Sequence, residues 1–271
     1  NSPEYIIGAF QTAKSFYKDA SKIMDAFRTG KGLPWDQHDP DLYPSVERFF
    51  RPVYRSNIAS KWIPSLDNGR VLKKLEKEKE GGVTVADVGC GHGVSTTVMA
   101  KAFPNSKFIG FDNHRASIEE ARELAKEEGL DEDQVWFDIS SATDYPLYPQ
   151  TNQQYDLITF FDCLHDLGDP VGAASHALES LKPDGTVMIV EPFANDKIED
   201  NLNPLGRISY AVSTMVCVPP SMAANGPALG TQAGEAKIGE VMKAGGFRLF
   251  RRTTQTPFGQ IPVLTIYEAR P

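Results

Sequence analysis

Cysteine is scarce in this chain, with Cys90, Cys163 and Cys217 the only three. Their odd number, wide spacing and lack of any C-x-x-C pair argue against a disulfide framework and against a cysteine zinc site. A reducing, cytoplasmic setting is expected. No apolar run approaches the roughly 20 residues of a membrane-spanning helix, so no membrane partner is expected. Asn1 to Phe10 shows no basic start followed by an apolar core, so no signal peptide is expected there. Positive charge is in deficit: 28 Lys and Arg stand against 36 Asp and Glu, a formal net charge of −8. Such a surface repels phosphate backbones, so DNA or RNA is not an expected partner. No internal repeat or low-complexity segment is present. What remains is a chain of 271 residues, 41% hydrophobic, long enough for one large domain with an appended cap.

What is there centres on Val83 to Met99 (VTVADVGCGHGVSTTVM). A β-branched apolar run meets Gly89, Gly91 and Gly93, and an amphipathic run to Phe103 follows, which predicts strand, tight turn and helix. The glycines let the backbone turn sharply and let a ligand lie against main chain. About twenty residues on, the run Lys107 to Phe111 ends in Asp112. A nucleotide-binding α/β unit places a ribose-binding carboxylate there. Two details argue against a dinucleotide. Gly93 follows Gly91 by two positions, not three, and Asp87 precedes the glycines, where a carboxylate suits an ammonium better than a pyrophosphate.

Around this stretch the periodicity predicts a helix over 5–27, a loop over 28–44 and a helix over 46–62 kinked at Pro52. A turn over 64–69 and a short helix over 71–80 follow, with Gly81-Gly82 opening the core. Strands are expected at 83–88, 107–111, 134–138, 155–161 and 185–191, and helices at 93–103, 115–128 and 170–181. This alternation means a parallel sheet covered on both faces. Residues 192–232 are irregular, with a helix in the middle at 205–218. They leave the sheet edge where open α/β folds bind ligands. A last helix at 234–244 precedes strands at 247–253 and 261–269 around a turn at 256–259. Residues 1–65 thus form an N-terminal helical cap and 66–271 the main domain, with 192–232 as a substrate-side insertion.

ADVGCGHG, Ala86 to Gly93, resembles the first motif of the class I S-adenosylmethionine-dependent methyltransferases. The resemblance runs from Val83 to Arg270. It implies a Rossmann-like α/β fold, with a mostly parallel seven-stranded sheet and a C-terminal antiparallel hairpin. It also implies S-adenosyl-L-methionine as methyl donor. Carried over by motif, Asp87 lies near the methionyl ammonium, and Gly89, Cys90 and Gly91 beside the homocysteine moiety. Asp112 and Asn113 meet the ribose, Asp138 and Ile139 the adenine, and Phe161 the region of the sulfonium. The fragments RTGKG, FFDCLHDLGDP, NPLGR and LGTQAGEA are similar to bacterial-type members that carry a winged-helix dimerisation domain. No such module is visible ahead of residue 1, so a homodimer is expected only if one precedes it.

FFDCLHDLGDP, Phe160 to Pro170, is also similar to the His-Asp motif of small-molecule O-methyltransferases, plant phenolic enzymes among them. That likeness makes His165, beside Asp166, the general base and Glu191 its orienting carboxylate. An imidazole suits proton removal from a phenol near neutral pH. Those enzymes often hold a further carboxylate before the last helix, where this chain has Gln232. Asp162 and Asp166 lack a matching third ligand, so no metal is expected. His92 and His114 are expected to be satisfied locally. Trp35, Tyr43, Phe49 and Phe50 are candidate cap aromatics, and Arg207, Tyr210, Met215 and Met222 candidate pocket lining. The expected function is methyl transfer to a small hydroxylated acceptor. The alternatives are a non-catalytic cofactor-binding module, or methylation of nitrogen, sulfur or carbon.

Overall fold

In the computed structural model, residues 6–77 and 83–271 are described. Asn1 to Tyr5, the end of the helix expected at 71–80, and Gly81-Gly82 lie outside them. Helix α1 (Ile7–Thr29) runs unbroken and ends on Gly30 in the left-handed conformation, a common helix stop. A single helical turn at Trp35–Gln37 leads into α2 (Leu42–Asn57), which holds Pro52. Beyond α2 the helix widens over Ile58–Trp62, where the Ile63 amide donates to the carbonyl five residues back. Two short helices, α3 (Ile63–Ser65) and α4 (Arg70–Leu75), complete this region.

Strand and helix then alternate. Strand β1 (Thr84–Val88) is followed by α5 (Val94–Ala102), β2 (Lys107–Asp112), α6 (Arg115–Glu127) and β3 (Val135–Ile139). Next come β4 (Tyr155–Phe161), α7 (Pro170–Ser180) and β5 (Leu181–Pro192). Helices α8 (Pro204–Val212), α9 (Val218–Ala223) and α10 (Gly234–Ala244) precede the hairpin of β6 (Leu249–Phe258) and β7 (Ile261–Arg270). The sheet order is β3-β2-β1-β4-β5-β7-β6. The first five strands are parallel and β7 lies antiparallel to both of its neighbours.

Alternation along the strands feeds two apolar cores, one on each face. Val85, Phe108, Val135, Leu157 and Met188 pack with Trp62 and with Met99 and Ile118 of α5 and α6. Ala86, Ile109, Ile158, Val187 and Ile189 pack with Ala174, Ala177, Ile238 and Met242 of α7 and α10. Trp62 is fully buried and its Nε1 donates to Thr256 Oγ1 at 2.7 Å, tying the N-terminal helices to β6. Among the described residues no helix is long and apolar enough to cross a membrane.

Three boundaries differ from expectation, the first being β5, which begins at Leu181 and not at 185. Strand β6 continues through Phe258, with Pro257 paired opposite Pro262, so the turn shrinks to Gly259-Gln260. Strand β6 lies at the sheet edge, where a proline's missing N–H costs no ladder bond. The insertion is more helical than its composition indicates. Helix α8 passes through a wider turn at Ser213–Cys217 directly into α9, with Pro219 and Pro220 in the first turn of α9, where proline is tolerated.

Candidate active site

The cleft opens at the carboxyl ends of β1, β2 and β4, the edge where parallel sheets present their loops to ligands. It encloses about 880 Å³, toward the upper end of the range for small-molecule sites. Core residues Gly89, Cys90, Gly91, Asp112, Asn113, Phe161, Asp162 and Asp166 line one side, and Trp35, Tyr43, Glu47, Phe50 and Tyr54 face them from the N-terminal helices. Phe49 packs instead against Gly8 of α1, where a Cβ would meet the Phe49 backbone at 2.5 Å.

The glycine turn is shaped by its conformation. Gly91 has φ +52 and nothing lies within 4 Å of the place a Cβ would take, so its main chain is open to the cleft. Asp112 steadies the turn, accepting from the amides of Gly91 at 2.9 Å and His114 at 2.8 Å. Burial raises its carboxyl above the usual range, against the pull of those two amides. His92 bonds Glu47 of α2 at 2.8 Å and His114 bonds Ser117 at 2.8 Å.

Three sequence-predicted residues are placed elsewhere. Asp87 is fully buried behind the turn. It accepts from Ser95 and Thr96 at 2.6 Å each, at the amino end of α5, and from Thr159 at 2.8 Å. A carboxylate there suits the positive end of the helix dipole, yet burial still pushes it up to about 6. Asp138 is exposed and accepts from the Ile139 amide at 2.8 Å. Ile139 packs on the core, so Ser140 and Ala142 line the cleft in their place. Of the insertion, Pro220, Ala223 and Ala224 line the cleft. Arg207 and Met222 are exposed, and Met215 packs near Leu42 and Cys217.

The turn after β4 gathers four acid or imidazole groups. Asp162 has φ +50, uncommon for a residue with a Cβ,. Tyr54 donates to its Oδ2 at 2.7 Å, whereas Oδ1 is buried without a partner. Burial first, then the nearby charge of Glu191, pushes the Asp162 carboxyl up to about 8. Tyr54, 108 residues away in the chain, is a partner with no signal in the local sequence.

His165 sits in a single helical turn, Leu164–Asp166, and is 2% exposed. Its Nδ1 bonds Glu191 at the end of β5 in a short contact, and its Nε2 lies 2.8 Å from Asp166 Oδ1. Burial alone depresses the imidazole, but Asp166 and Glu191 outweigh it and hold the pKa well above the ordinary histidine value. The second carboxylate on His165 is therefore its own neighbour. Gln232 turns its amide to the Thr231 carbonyl. Cys217 joins His165 and Asp166, with the ligand-type atoms of the three within 4.8 Å of one another. The local sequence carries no sign of this grouping, because Cys217 belongs to the distant insertion. Burial, then Asp166, pushes the Cys217 thiol up to about 12.

Comparison with known proteins agrees with the fold. The profile of a family described as "Methyltransferase domain" matches residues 79–246. A ubiquinone biosynthesis O-methyltransferase of Proteus mirabilis is 28% identical over 162 residues, covering 56% of this chain and 58% of that protein. The chain spans little more than half the length of the curated relatives it matches first. An O-methyltransferase family protein from Burkholderia thailandensis shares the fold with a TM-score of 0.64 at 17% identity, over 94% of this chain and 68% of that one. Human N-acetylserotonin methyltransferase, solved with its methyl donor, superposes with a TM-score of 0.58 at 19% identity, over 96% and 67%.

Proposed function

Because the chain belongs to the methyltransferase-domain family, within the S-adenosylmethionine-dependent class I enzymes, we propose that it methylates a hydroxyl of a small aromatic acceptor. The observation that carries this reading is the His165–Asp166–Glu191 cluster, which reaches an aromatic-walled cleft through Asp166, with His165 and Glu191 buried behind it. The residues fit the donor. The open main chain at Gly91 leaves room beside the turn, and Asp112 sits where ribose hydroxyls meet a carboxylate,. Asp162, with one oxygen unpartnered, is the cleft-facing acid for an ammonium, in place of the buried Asp87. Asn113 and Phe161 complete the lining on the donor side, and Asp138 has no ligand role in this reading. Helices α1 and α2 act as the cap.

S-adenosylmethionine supplies a methyl group already activated as a sulfonium. The protein's work is alignment and proton removal. Glu191 fixes the proton on His165 Nδ1, leaving Nε2 as the working nitrogen. Nε2 becomes a base once its own proton has left, which loosens Asp166 toward the cleft. Because Asp166 and Glu191 raise the His165 pKa, kcat/KM should climb with pH along a limb displaced upward from the ordinary histidine range. The test is His165→Ala with a labelled methyl donor and a panel of phenols. S-adenosylhomocysteine affinity should persist and turnover should fall by at least about 100-fold. Unchanged turnover would exclude His165 as the base.

A further inference from the structure

From the sequence no metal is expected, because Asp162 and Asp166 lack a third ligand. The fold gives Asp166 different company. Cys217 closes the widened turn Ser213–Cys217 of the insertion, and the insertion is tied to the turn that holds His165. The Gly230 amide donates to the His165 carbonyl at 3.2 Å, and Ser221 Oγ donates to the Leu167 carbonyl at 2.8 Å. A ring nitrogen of His165, an Asp166 oxygen and Cys217 Sγ thereby come within 4.8 Å of one another. Glu191 engages Nδ1, so Nε2, 2.8 Å from Asp166 Oδ1, is the nitrogen that faces the other two.

A tetrahedral zinc holds nitrogen, oxygen and sulfur at about 2.0–2.3 Å, which sets neighbouring ligand atoms about 3–4 Å apart. All three groups are zinc ligands, and the soft sulfur disfavours magnesium or calcium. Two further observations point the same way. Glu191, 3% exposed, stands behind the imidazole. A carboxylate in that place fixes the tautomer and leaves the other nitrogen for a metal. Asp166 Oδ1 is buried beside the ring and receives no aligned hydrogen bond, a cost that a cation relieves. Asp166 also lines the cleft, which gives a cation its way in. The thiol of Cys217 is protonated when no metal is bound, but a coordinated thiol loses its proton outright.

We propose that His165 Nε2, Asp166 and Cys217 Sγ bind one thiophilic divalent cation, zinc by preference, and that its occupancy silences the base. The cation takes the Nε2 lone pair, which then accepts no proton from the methyl acceptor. The protons it displaces from imidazole and thiol leave to solvent. The silencing rests on the reading of His165 above, whereas the cation site stands apart from it.

The probe is cobalt(II), added to the full chain and then competed with zinc. One cobalt should bind per chain with a sulfur-to-cobalt charge-transfer band in the near ultraviolet, and zinc should abolish that band. Cys217→Ser should lose it, with Cys90 and Cys163 still present, and Cys217→Ala serves if that variant fails to fold by circular dichroism. Glu191→Gln should keep the band and weaken zinc by about 10–100-fold. In the phenol assay, saturating zinc should cut wild-type turnover by at least about 100-fold, and a chelator should restore it. No band at saturating cobalt, or a band that survives in Cys217→Ser, overturns the cation site and leaves methyl transfer standing. Full turnover in the zinc-loaded protein overturns the silencing. Absence of S-adenosylhomocysteine binding removes methyl transfer and the silencing with it, and the cobalt titration still decides the site.

Discussion

Asp87 and Asp162 show how hydrogen bonding and burial set two carboxylates apart. Both sit at the end of a parallel strand near the glycine turn. Asp87 spends its oxygens on Ser95, Thr96 and Thr159, whereas Asp162 keeps one oxygen free. Asp87→Ala should therefore act on stability, by about 2–4 kcal/mol in chemical denaturation, since three buried hydroxyls lose their acceptor. Donor affinity of the folded protein should change by less than about tenfold. Asp162 carries the opposite expectation. With its carboxyl pushed up to about 8, it is mostly protonated at pH 7, and an ammonium beside it favours the ionised form. Binding of S-adenosylhomocysteine at pH 7 should thus release close to one proton. Calorimetry in two buffers of different ionisation enthalpy measures that release, which should drop toward zero in Asp162→Asn. The first motif in the sequence marks an acid beside the glycines. It carries no sign of the three hydroxyls that fold inward onto it, because Thr159 comes from a strand 72 residues away.

Among the elements, the widened turn Ile58–Trp62 does more than end α2. It delivers Trp62, fully buried, into the core on one sheet face and onto Thr256 of β6. The spacing of apolar residues over 46–62 announces a helix, but a five-residue repeat within it has no signature in composition. Trp62→Ala should cost about 3–5 kcal/mol, the range for emptying a large aromatic site. Trp62→Phe should cost about 1 kcal/mol more than its volume change, for the lost bond to Thr256. Denaturant midpoints with an unchanged slope would establish both as stability effects. The insertion teaches a similar lesson. Its prolines and glycines read as irregular, yet Pro219 and Pro220 occupy a first helical turn where they break nothing,.

For the molecule as a whole, several buried groups respond to pH in one direction. Asp87 and Asp162 are raised from 3.8 to about 6 and about 8, and His165 is raised well above 6.5. Each native pKa exceeds its unfolded value, so the folded state binds more protons between the two. Its stabilising contribution is complete below the unfolded pKa and is lost as pH rises through the folded one. The ligand-free protein should melt at progressively lower temperature from pH 6 to pH 9. S-adenosylhomocysteine should flatten that decline by favouring ionised Asp162, as paired thermal scans would record. The amino-acid sequence by itself determined the alternation of strand and helix, the glycine turn, Asp112 at the next strand end and the His165-Asp166 pair, because each is local and periodic. Only the tertiary structure decided which acid faces the cleft, that Asp166 rather than Gln232 sits against His165, and that Cys217 joins them. Those outcomes depend on which distant side chains share a buried space, and on how burial and opposing charge divide the protons among them.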